Sequence, residues 1–111
     1  MRDIHWNTTV RNRLANRRPS ISFNYECNLA YTATFSCFPT GELAEIFLSN
    51  SKAGSHSDSA AKDSAIVCSI ALQHGVPLDT IRRALLRDPR GKASSPLGVA
   101  LDLIAEMEGE R

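Results

Sequence analysis

Between positions 20 and 27 the chain alternates strictly. Ile21, Phe23, Tyr25 and Cys27 are apolar, and Ser20, Ser22, Asn24 and Glu26 are polar. A period of two is that of a half-buried strand. A second such run covers about residues 30–38, with Tyr31, Ala33, Phe35 and Cys37 on one parity. Pro39 and Gly41 follow, in Phe38-Pro39-Thr40-Gly41-Glu42. Pro39 presets φ for the first central position of a turn, and Gly41 can take the left-handed conformation that closes a bulged hairpin. A third strand is predicted at about residues 43–49. Ala44, Ile46 and Leu48 lie on one of its sides, and Leu43 and Phe47 share the other with Glu45. Both faces of this strand carry apolar groups, so one is expected to meet helices and the other a second copy of the chain.

The period then changes. Residues 51–58 form a polar loop in which Ser57 or Asp58 is suited to cap a following helix. That helix, expected over about residues 59–74, carries a narrow stripe of Ala61, Ala65, Cys68 and Leu72, with Ile66 and Ile70 beside it. Small residues there allow close approach to a sheet. Gly75 supplies the position just past the helix end, where φ > 0 is needed. Pro77 and Asp79 suit the first turn of a second helix. Its apolar face is Ile81, Ala84 and Leu85, and its wet face is Arg82, Arg83 and Arg87. Asp88-Pro89-Arg90-Gly91 breaks it. Ser95 and Pro96 read as N-cap and first residue of a last helix striped by Leu97, Ala100, Leu101, Ile104 and Met107.

Strands followed by helices predict an α+β fold: a three-stranded antiparallel meander, then three helices packed on one face. The expected core is Ile21, Phe23, Phe35, Ile46, Leu48, Ala65, Leu72, Ile81, Leu85, Leu101 and Ile104. At 111 residues the chain is the size of one domain, here residues 19–108. Residues 1–18 read as a basic arm, in which Arg2, Arg11, Arg13, Arg17 and Arg18 stand against one acid, Asp3. Trp6, Val10 and Leu14 are four apart, which offers a short partner-binding helix as the alternative to an arm that docks loosely.

Charge narrows the function classes. The net charge of +1 gives no global field for nucleic acid. No apolar run approaches a membrane span or a signal core, which predicts a cytoplasmic protein. Three cysteines at 27, 37 and 68, without CxxC spacing, suit neither a disulfide framework nor a zinc site. Cys27 and Cys37 share the inward parity of neighbouring strands and are candidates for proximity, and Cys68 reads as core. His5, His56 and His74 are far apart. No catalytic set, metal site or cofactor site emerges, and a stand-alone enzyme would need clustered titratable groups that the sequence does not show.

Two binding candidates remain. Lys52, Gly54, Ser55 and Ser57, leading into a helix, have the parts of an anion site, although the P-loop order is missing. The arginines at 11, 13, 17, 18, 82 and 83 could meet a partner or nucleic acid, but no aromatic platform accompanies them.

The chain also resembles a known family. Residues 41–49 read G-E-L-A-E-I-F-L-S, residues 52–55 read K-A-G-S, and residues 69–78 read S-I-A-L-Q-H-G-V-P-L. This track is similar to the TSCPD domain, which closes vitamin B12-dependent (class II) ribonucleotide reductases and also occurs in short stand-alone proteins. The resemblance covers about residues 19–106. The name-giving motif falls at residues 93–97, here Ala93-Ser94-Ser95-Pro96-Leu97, so the proline is kept while the cysteine and aspartate are absent. The resemblance implies an accessory role in DNA-precursor metabolism, with a reductase as partner. Nothing corresponds to the reductase barrel, so the chain by itself is expected not to reduce ribonucleotides. The alternative is a small nucleotide or nucleic-acid binder using the arginines and the 52–57 loop.

Overall fold

The computed structural model describes residues 10–12, 14, 15 and 18–109. Three antiparallel strands, β1 (Ile21–Cys27), β2 (Leu29–Cys37) and β3 (Leu43–Asn50), form one sheet in the order β1-β2-β3. Three helices follow: α1 (His56–Gln73), α2 (Leu78–Ala84) and α3 (Pro96–Gly109). The fold is the α+β arrangement that the pattern predicts.

The strands keep the predicted parities. Phe23 pairs with Ala33, which pairs in turn with Leu48, and Ile21 pairs with Phe35, which pairs with Ile46. Asn28, in the left-handed region at φ 65°, turns β1 tightly into β2. The β2–β3 hairpin closes on Gly41 at φ 95°, with the Phe38 amide donating to the Glu42 carbonyl at 2.8 Å, and the ladder shifts register between Ser36 and Cys37. This geometry corrects one expectation. Cys27 pairs with Leu29 and Cys37 with Leu43, so the two thiols lie at opposite ends of β2.

One face of the sheet holds the core: Tyr25, Tyr31, Ala33, Phe35, Ile46 and Leu48 under Ala61, Ala65, Cys68 and Leu72 of α1 and Leu97, Ala100, Leu101 and Ile104 of α3. Tyr25 and Tyr31 stack at 5.7 Å, and the Tyr25 hydroxyl donates to the Pro96 carbonyl, pinning the start of α3. The core differs from expectation at its margins. Ile21 is 51% exposed, because α3 approaches β1 through its Tyr25 end and leaves the start of the strand uncovered. Phe23, Ile81 and Leu85 are half-buried against the core.

Helix α1 begins earlier than predicted. Ser55 is its N-cap, accepting from the Asp58 amide, so Asp58 falls in the first turn rather than at the cap. At the other end the Gly75 amide donates to the Leu72 carbonyl and the Val76 amide to the Ala71 carbonyl, with Gly75 at φ 91°. This is the paired closure that a glycine past the helix end permits. Ser95 caps α3 as expected, accepting from the Gly98 amide.

Residues 10–12, 14 and 15 carry no regular structure, so a helix through Val10 and Leu14 does not form, and Trp6 lies outside the described residues. Described residues of the arm are instead fastened to the domain. The Asn12 amide donates to the Gln73 carbonyl at 2.8 Å, Arg11 donates to the Gln73 side chain, and Arg18 forms a two-pronged pair with Glu45 at 2.5 and 2.9 Å.

Candidate functional site

The free edge of β3 organises the polar residues of α1. An edge strand turns half its backbone groups away from the sheet. Here α1 runs along that edge and meets them with side chains. Asp58 accepts from the Asn50 amide, Ser69 Oγ accepts from the Ile46 amide and donates to the Ile46 carbonyl, and Gln73 donates to the Ala44 carbonyl. All four contacts lie between 2.9 and 3.0 Å. Asp58, Ser69 and Gln73 are buried, and Ala61 and Ala65 between them let the helix approach.

The predicted anion loop is part of the same device. Asp58 Oδ2 accepts from the Gly54 amide and from Lys62 Nζ, and Asn50 accepts from the Lys52 amide. Ser55 caps the helix, and the Ser57 hydroxyl accepts from the Asn50 side chain. The loop therefore encloses a carboxylate of its own. Lys62 and the Asn50 and Gly54 amides hold the Asp58 carboxyl down at about 2, outweighing its burial. Lys52 is exposed, while the Gly54 amide and the Ser55 hydroxyl are both engaged with Asp58.

The arginines divide in the same way. Arg11 and Arg18 fasten the arm. Arg82 and Arg87, predicted to be solvated, converge on Asp102 of α3 at 2.8–2.9 Å, and Arg87 also donates to the Gly91 and Arg82 carbonyls. Their convergence on one carboxylate of a different helix is what the helix period alone could not reveal. The two guanidinium groups hold Asp102 below the usual carboxylate range, Arg87 contributing most. Arg83 is exposed; Arg13 and Arg17 lie outside the described residues.

Two open clefts among the described residues differ in character. One, of about 460 Å³, lies between the β1–β2 tip, the start of α1 and residues 93–97, and is lined by Cys27, Tyr31, Ser57, Ser64, Ser95 and Leu97 among others. No charged group lines it. Burial raises the Cys27 thiol, and among the described residues no histidine or carboxylate lines the cleft with it to serve as a base. Cys68 is pushed up to about 11 by burial. The other cleft, about 690 Å³, carries Glu42, Asp79 and Glu108 beside Arg82, a lining that repels phosphate. No group of three or more metal-ligating side chains occurs among the described residues.

The outer face of β3 at Phe47, together with the side of α1 next to it, is the remaining feature. Phe47 is 52% exposed, Ile66 53% and Val67 67%, and Ile70 is exposed one turn beyond Ile66. Phe47 and Ile66 share a groove of about 390 Å³ with Thr32, Thr34 and Ser49. Lys62 is the one charged group in its lining.

No protein-family model, curated protein or solved structure matches the chain. Among the described residues, no helix is long and apolar enough to cross a membrane.

Proposed function

We propose that the chain is a non-catalytic interaction module that presents the Phe47–Ile66–Ile70 surface to a protein partner. The observation that carries this reading is the contrast between that surface and the rest of the polar inventory. Its apolar side chains are exposed together, whereas Arg11, Arg18, Arg82, Arg87, Glu45, Asp58 and Asp102 are engaged within the fold. Contiguous exposed apolar groups mark contact surfaces, and large anchors dominate their energetics. The resemblance to the TSCPD domain directs the search for the partner to a cobalamin-dependent ribonucleotide reductase, with an accessory role in DNA-precursor supply in the cytoplasm.

The test is binding of the purified chain to such a reductase by calorimetry, at low and at moderate salt. Apolar docking predicts similar affinity at both, because counterion release contributes little. Phe47→Asp and Ile66→Asp are each expected to weaken binding at least about tenfold, the loss of one anchor, with the melting midpoint nearly unchanged. Wild-type affinity in both variants would remove this surface from the proposal. Binding that vanishes at moderate salt would return weight to the exposed basic residues.

A further inference from the structure

The two edges of the sheet are treated differently. On β3 the Asn50 amide, both backbone groups of Ile46 and the Ala44 carbonyl are met by Asp58, Ser69 and Gln73. On β1 the ladder identifies which groups point outward. Ser69 takes both the N–H and the C=O of Ile46, so these face away from β2. In an antiparallel ladder both groups of one residue point the same way, and the direction alternates along the strand. Phe35, opposite Ile46, therefore turns its groups toward β1, where Ile21 meets it. It follows that Ile21, Phe23, Tyr25 and Cys27 bond to β2, while Ser22, Asn24 and Glu26 turn N–H and C=O outward. All three are exposed, and among the described residues nothing donates to or accepts from those backbone groups.

We propose that β1 is the dimerisation edge: two copies of the chain pair antiparallel through it, about a two-fold axis at Asn24, into one six-stranded sheet. The strand itself argues for a second copy over an unrelated peptide, because Ile-Ser-Phe-Asn-Tyr-Glu-Cys reads alike in kind from either end. Centred on Asn24, the register sets Phe23 across from the partner's Tyr25, Ile21 across from the partner's Cys27, and Ser22 across from the partner's Glu26. Aromatic meets aromatic, the half-exposed Ile21 gains an apolar neighbour, and the only charge on the strand never faces its own copy. Every outward backbone group of the three residues finds a partner. β1 also lacks the lysine, proline or bulge that blunts an exposed edge. This interface is separate from the Phe47 surface. The apolar outer face of β3 is the other candidate surface for a second copy, and the backbone alternation favours β1.

Sedimentation equilibrium of the full chain, from micromolar to submillimolar concentration, tests the proposal. The expected mass approaches twice the 12.2 kDa chain. Asn24→Lys sets two ammonium groups against each other on the axis and is expected to weaken association about tenfold or more. Ser22→Lys faces the partner's Glu26 twice over, and is expected to strengthen association about tenfold at low salt. Phe47→Asp is expected to leave association unchanged. A single-chain mass at all concentrations overturns the proposal. So does a dimer indifferent to Asn24→Lys, weakened by Ser22→Lys, or lost with Phe47→Asp. Ser22→Lys reads out a gain, so it decides the matter even if Asn24→Lys folds poorly.

Discussion

At the scale of single residues, Asp58 shows how a local polar group acts on the whole. Its carboxylate is buried, yet three donors converge on it: the Asn50 and Gly54 amides and Lys62. Glu45 beside Arg18 and Asp102 between two arginines are likewise held below their ordinary values. A carboxylate whose folded-state pKa is depressed contributes stability above its unfolded value, near 4, and loses it as pH falls through the folded value. The melting midpoint is therefore expected to be level near neutrality and to fall between about pH 4 and pH 2, the window set by Asp58. Asp58→Asn should lower the midpoint at pH 7 and flatten its acid dependence. A variant with the wild-type acid slope would show that the carboxylate does not carry it.

At the scale of elements, the pairing of α1 with the β3 edge gives the sharpest mutational contrast. Ser69 is buried and satisfies both backbone groups of Ile46. Ser69→Ala improves intrinsic helix propensity, but strands a buried donor and acceptor at a cost of about 1–3 kcal/mol. Ser64→Ala, on the same helix, removes only a bond to the Ala61 carbonyl and should change stability little. Chemical denaturation of both variants checks this. Equal midpoints would mean that water replaces the serine at the edge. In the sequence Ser69 is one more small residue of the helix, outside the apolar stripe of Ala61, Ala65, Cys68 and Leu72. Its role was illegible because a helix period shows which face is buried, not that the buried face meets a strand edge.

At the scale of the molecule, the Arg82–Asp102–Arg87 cluster joins α2 and the connection that follows it to α3. Asp102→Ala is expected to cost about 1 kcal/mol, as a partly exposed ion-pair cluster does. Amide exchange should quicken across residues 78–95 while the sheet stays protected. Uniform acceleration across all elements would show that the cluster supports the whole fold rather than this corner.

The sequence determined the architecture by itself. Period-two runs, the turn at Gly41, the closure at Gly75 and the cap at Ser95 are local signals, each requiring only neighbours in the chain, and they placed three strands and three helices in order. The boundary of α1 slipped by three residues because Ser55 and Ser57 are both competent caps, and the choice between them is made by contacts to Asn50 and Asp58. Only the tertiary structure decided the fate of the charges and the edges. Charge runs at 11–18 and 82–87 look solvated along the chain, because their partners Glu45, Gln73 and Asp102 lie 15 or more residues away. The covered edge of β3 and the open edge of β1 likewise arise from packing, since backbone polarity is the same in every residue and only its surroundings distinguish one strand from the other.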